Sequence, residues 1–133
     1  MENLAAAERP LVYARLVDAA AATDPSTRTL EERWTWLMAA HVVGQHQVGL
    51  HFDSHRRMLE LAHETRDWRE VAGQLLRIGL LPLGHLLGRI PRGNIGRATV
   101  GVIEAMEPPE AVQRLVDWAT LAVRIPALSR PAA

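Results

Sequence analysis

The sequence predicts an all-α fold: a single-domain helical bundle of four to five helices with an irregular Pro/Gly loop before the last helix. Three observations predict it. Apolar residues recur at the helical spacing of three and four rather than in strict alternation. Capping residues stand immediately before several of these periodic stretches. No segment reads as a strand. At 133 residues the chain is most simply one domain, 1–133, long enough to enclose a single core over about 8–124, with a loose tail at 125–133.

The elements follow in order. Glu8 to Ala22 is rich in Ala and Leu and ends before Asp24-Pro25-Ser26. Thr29 with Glu32 forms a capping-box pattern and opens a second helix that runs to about Gly44. A third starts near Val48 and continues to about Thr65. Asp67 caps a fourth, from Trp68 to about Gly88, which Pro82 should kink or break. Arg89 to Gly96 is an irregular loop by its Pro and Gly content. Pro108-Pro109-Glu110 opens the last helix, to about Arg124. No internal repeat or dividing linker is visible.

Composition narrows the function. Acidic and basic residues number 15 each, so no global field favours nucleic acid or an anionic membrane. Every base is arginine, which together with the alanine content reflects a GC-rich coding bias and weakens any argument from arginine to phosphate. With one Tyr, one Phe and no docking motif, nucleic-acid binding is not expected. The absence of cysteine excludes disulfides, thiolate catalysis and Cys-ligated zinc or iron–sulfur clusters. Residues 1–10 lack a signal-peptide pattern, and the apolar stretch Gly79–Gly88 is far shorter than the roughly 20 residues a membrane span needs. A cytoplasmic, soluble protein is therefore expected, and that apolar stretch offers a face through which a homo-oligomer would pack.

The histidines carry the most information. On a helix His51 and His55 lie within about 40° of each other, on the stripe shared with Val48, Leu59 and Ala62. Asp53, Arg56, Arg57, Glu60 and Glu64 occupy the opposite side. On the second helix His41 shares a face with Leu30, Trp34, Leu37 and Met38. A short connection, marked by Gly44 and Gly49, makes the two helices antiparallel neighbours. Counted from the middle of that turn, His41 comes level with His51, and Met38 with His55, about one turn deeper.

Imidazoles are costly to bury unless bonded or bound, so this arrangement predicts a metal site built from His41, His51 and His55, with Met38 in ligand position. Three imidazoles suit copper, zinc or iron, and a thioether tilts the choice toward copper. A Met on the apolar face of a helix is, however, usually core filler, and that is the stronger reading of Met38. His85, inside the apolar stretch, or a water could supply the fourth ligand. His46 and His63 read as surface residues. A carboxylate behind one of the ligands is expected but not identified.

Gly88 to Arg97 combines three arginines with glycine and proline and could face an anion. It lacks the P-loop and dinucleotide-binding patterns. The favoured reading is a structural turn fixed by Asn94.

Several motifs together resemble an uncharacterised family of small bacterial proteins, a domain of unknown function. They are His41-x3-Gln45, His51-x3-His55, Arg66-Asp67-Trp68-Arg69-Glu70-Val71 with Gly73-Gln74, Gly88-Arg89-Ile90-Pro91-Arg92-Gly93-Asn94-Ile95-Gly96, and Met106-Glu107-Pro108. The resemblance spans about Trp34 to Leu115. It implies a compact helical domain, a genomic setting near heavy-metal transport or resistance functions, and a carboxylate where this chain has Met38. It implies no established activity.

The expected function is thus a His-ligated metal-binding protein, in metal handling or as a small metalloenzyme acting on a small-molecule substrate. The alternatives are a haem- or small-molecule-binding bundle and a metal-free acid–base enzyme using the same histidines.

Overall fold

A computed structural model describes residues 4–126, so most of the predicted tail (127–133) lies outside the described residues. Five α-helices form the described chain: α1 (Arg9–Ala22), α2 (Leu30–Gly44), α3 (Val48–Glu64), α4 (Trp68–Leu86) and α5 (Glu110–Arg124), with a 3₁₀ turn at Pro25–Thr27. No strand occurs among the described residues.

Local chemistry sets the boundaries. The α2 start is a complete capping box: Glu32 N–H donates to Thr29 Oγ1 (3.1 Å) and Thr29 N–H to Glu32 Oε2 (2.9 Å). Asp67 Oδ1 accepts from Glu70 N–H at 3.1 Å and caps α4. Between α3 and α4 the chain reverses through Arg66 at φ 56°, with Asp67 N–H bonded back to Ala62 O (2.9 Å), a Schellman-like close. Pro82 does not break α4, which continues to Leu86. Its ring stands on an exposed face, where solvent can reach the carbonyl that loses its partner.

Helix α2 runs through the middle of the molecule. All six residues from Ala39 to Gly44 are buried, which a surface helix would not permit. On one side Val12, Tyr13 and Leu16 of α1 and Val112, Val116 and Ala119 of α5 pack against Ala39, Ala40, Val42 and Val43. On the other, Trp34 meets Met58, Leu61 and Ala62 of α3. Gly44 permits the tight α2–α3 turn, since a Cβ there would lie 2.9 Å from Leu50 Cβ and 3.1 Å from the Tyr13 ring. Tyr13 in turn donates to Asp53 (2.7 Å). Burial alone would raise the Asp53 carboxyl, but bonds from Arg57, Tyr13 and Arg56 outweigh it and hold the pKa at about 2.

Between α2, α3 and α4 the core turns polar. His41, Gln45, His51, Ser54, His55, Glu70, Gln74, Arg77 and Asn94 are all buried. The segment between α4 and α5 closes over this layer. Buried polar groups persist only when satisfied, so the layer's bonding decides what it is for.

Candidate metal centre

His41 comes from α2, His51 and His55 from successive turns of α3. Their ring centroids form a nearly equilateral triangle with sides of 5.0, 4.7 and 4.9 Å. All three are buried, and one nitrogen from each lies within 4.8 Å of the others. His51 Nε2 and His55 Nε2 are 3.1 Å apart, close to the ~3.3 Å separating two nitrogens that share a tetrahedral ion at 2.0–2.1 Å. The three residues placed together by helical spacing and hairpin register thus do meet.

Each outer nitrogen is held by a different partner. His41 Nδ1 lies 2.8 Å from Asn94 O, His55 Nδ1 2.7 Å from Gln74 Oε1, and His51 Nδ1 2.8 Å from His85 Nε2. These contacts fix tautomers. A carbonyl can only accept, so His41 carries its proton on Nδ1 and turns the Nε2 lone pair inward. Gln74 Nε2 donates to two acceptors, Glu70 Oε1 (2.8 Å) and Gly96 O (2.9 Å), which orients the amide and makes its oxygen the acceptor from His55 Nδ1–H. His55 Nε2 is therefore also a lone pair. The 3.1 Å contact then requires His51 to donate from Nε2, and His51 Nδ1 to accept from His85 Nε2–H. For His51 Nε2 to take an ion, its proton would have to leave, the His85 Nε2 proton would pass to His51 Nδ1, and His85 would take a proton at Nδ1, so that its Nε2 accepts from His51.

The expected outer carboxylate is Glu70, one residue further out than anticipated: it reaches His55 through Gln74 rather than directly. Glu70 also accepts from Ala98 N–H (2.9 Å) and pairs with Arg97 (3.2 Å), whose guanidinium stacks 3.8 Å above the Trp34 ring. In the sequence Glu70 reads as part of a helix start and Gln74 carries no sign of a role. Their i, i+4 spacing, continued to Gln74's own level with His55, was the available signal.

The Pro/Gly loop is part of the same construction. Asn94 donates to Gly101 O (2.9 Å) and Glu104 O (2.8 Å) and accepts from Gly96 N–H (2.9 Å). Its backbone carbonyl is thereby aimed at His41. With its amide turned to suit both partners, Gln45 donates to Pro91 O (3.0 Å) and accepts from Gly93 N–H (2.9 Å). Gly96 adopts φ +81°, and a Cβ there would stand 2.8 Å from the His41 ring.

Burial keeps these imidazoles neutral. Desolvation, followed by the neighbouring histidines, pulls His41 well below the usual histidine range and His51 to about 3. Desolvation outweighs the Gln74 bond at His55, which falls to about 4. Neutral imidazole is the metal-binding form.

Met38 lies one turn before His41 and packs between the two apolar clusters of the core. His85 stands behind His51. His46 and His63 are exposed, as expected. Over the triad opens a cavity of about 180 Å³. The triad, Gln45 and Arg77 form its polar floor, and leucines, Ile90 and Val102 its walls; Met38 is not among the lining residues.

The fold and site define a class: a helical bundle with a buried, convergent histidine triad whose outer nitrogens are each held by a partner. The chain belongs to the family described as protein of unknown function (DUF3703), whose model matches residues 7–116. No curated protein and no solved structure matches it. No helix among the described residues is long and apolar enough to cross a membrane.

Proposed function

We propose that this protein binds one transition-metal ion through Nε2 of His41, His51 and His55, leaving a fourth position open to the cavity. The observation that carries this reading is the set of three Nδ1 contacts, which engages every outer nitrogen and leaves the three inner ones to converge. Such outer bonds are the usual accompaniment of histidine ligation. Three protein ligands with an open position suit a small metalloenzyme or a protein that accepts and passes on an ion, with copper, zinc or iron as the ion. Met38 acts in this reading as core packing.

Two alternatives fare less well. A haem needs a broad flat slot beside one imidazole, whereas here each ring has two others within 5.0 Å. Acid–base catalysis is most effective with a pKa near the working pH, and His51 and His55 are held at about 3 and 4.

The test is a competition titration with a chromophoric zinc chelator on the metal-free protein and two variants. Met38→Leu should keep the affinity within about threefold, while His55→Ala should lose a hundredfold or more, as expected when a ligand rather than a supporting partner is removed. Loss of binding in Met38→Leu with a retained fold would return the thioether to the ligand set. Unchanged binding in His55→Ala would refute the site.

A further inference from the structure

The cavity above the triad has an unbalanced charge. Arg77 lines it at 7 % exposure. Its guanidinium bonds go to backbone carbonyls: Gly73 O (3.1 Å), Arg97 O (2.7 Å) and Val100 O (2.7 Å). Those bonds satisfy donors without cancelling the charge. Glu70, the nearby buried carboxylate, offsets part of the Arg77 charge through space but is itself paired with Arg97. The cavity lining contains Arg77 and Arg89 but no Asp or Glu. Three neutral imidazoles would leave the full charge of an ion in place, next to Arg77, in a region of low polarity. Uncompensated buried charge is expensive, and an anionic occupant would supply part of the missing counter-charge.

The walls specify the rest of that occupant. Leu80, Leu81, Leu83, Leu87, Ile90 and Val102 surround the opening. The volume, about 180 Å³, is similar to that of an engineered apolar cavity that admits benzene, about 150 Å³. We infer that the site takes a small organic monoanion, its charged head on the metal's open position and its hydrocarbon body, of about the size of a benzene ring, against the leucines. This rests on the metal reading above and names the ligand class for that site.

The test uses the Co(II)-loaded protein, whose visible d–d bands report ligand exchange at the ion. Benzoate, acetate and benzyl alcohol are titrated in turn. Benzoate should change the bands with a Kd at least about tenfold below that of acetate, the difference measuring the buried ring, and benzyl alcohol should bind more weakly than benzoate. Leu80→Trp, which fills the cavity from its partly exposed wall, should abolish the preference for benzoate while keeping the Co(II) bands and the response to acetate. Absence of Co(II) bands would refute the metal site itself. Bands that ignore all three probes, equal affinity for benzoate and acetate, benzyl alcohol binding as tightly as benzoate, or a benzoate preference that survives in Leu80→Trp would each overturn the inference with the metal site intact.

Discussion

His51 is the ring whose proton has to move when an ion binds, and among the described residues its Nδ1 meets His85 Nε2, 2.8 Å away. A metal-bound His51 must donate from Nδ1, and His85 is positioned to accept. His85→Phe should leave the fold intact, because His85 lies near the surface end of α4, yet weaken metal binding by about 10- to 100-fold, the usual effect of losing a partner behind a ligand. A chelator competition that finds no change would remove His85 from the site. Gly96 bears on His41 in a different way. Alanine there would meet the His41 ring at 2.8 Å and force φ +81° on a residue with a side chain. Gly96→Ala should cost about 1–3 kcal/mol in urea unfolding and weaken metal binding at the same time. A variant as stable as the parent would contradict the close approach.

At the scale of elements, the capping box at the start of α2 is separate from the triad, three turns away along the helix. Thr29→Ala should lower stability by about 1 kcal/mol and leave metal stoichiometry unchanged; a loss of metal with the cap would show that the site depends on the whole of α2 rather than on its buried end. The helices themselves were largely legible in the sequence, because caps and periodicity are local properties: α2 begins and ends where Thr29 and Gly44 indicate, and α4 begins at the Asp67 cap. The triad was legible for the same reason, since helical spacing and one short turn suffice to bring His41 to His51 and His55. What lay beyond reach depends on long-range packing. Pro82 reads as a breaker by local rules but sits on an exposed face, where its missing hydrogen bond is tolerated. Asn94 reads as the residue that fixes a local turn, which it is, and Gln74 as an ordinary polar residue; only the packing of α4 on α3 and of the 89–108 segment over the polar layer reveals that they hold His41 and His55. Arg77, likewise, reveals its part only through the carbonyls of Arg97 and Val100.

The molecule as a whole places a polar layer where a bundle would ordinarily continue its apolar core, and that choice has a consequence for stability. In the unfolded chain histidines take up protons near pH 6.5; in the folded, metal-free protein His55 does so only near 4 and His51 near 3. Between these limits the unfolded state binds more protons, so stability rises with pH. The contribution is complete above about pH 6.5 and declines as the pH falls through the window from there to about 3. The urea midpoint of metal-free protein should therefore drop steadily from pH 7 to pH 4.5. A flat profile across that range would mean that the imidazoles are not desolvated as described.

The most direct measurement is elemental analysis of protein loaded with zinc or copper and then desalted, beside His41→Ala, His51→Ala and His55→Ala, with circular dichroism to verify that each variant is folded. A three-histidine site predicts about one ion per chain in the parent and a marked loss in all three folded variants. An unloaded parent, or folded variants that retain the ion, would contradict it.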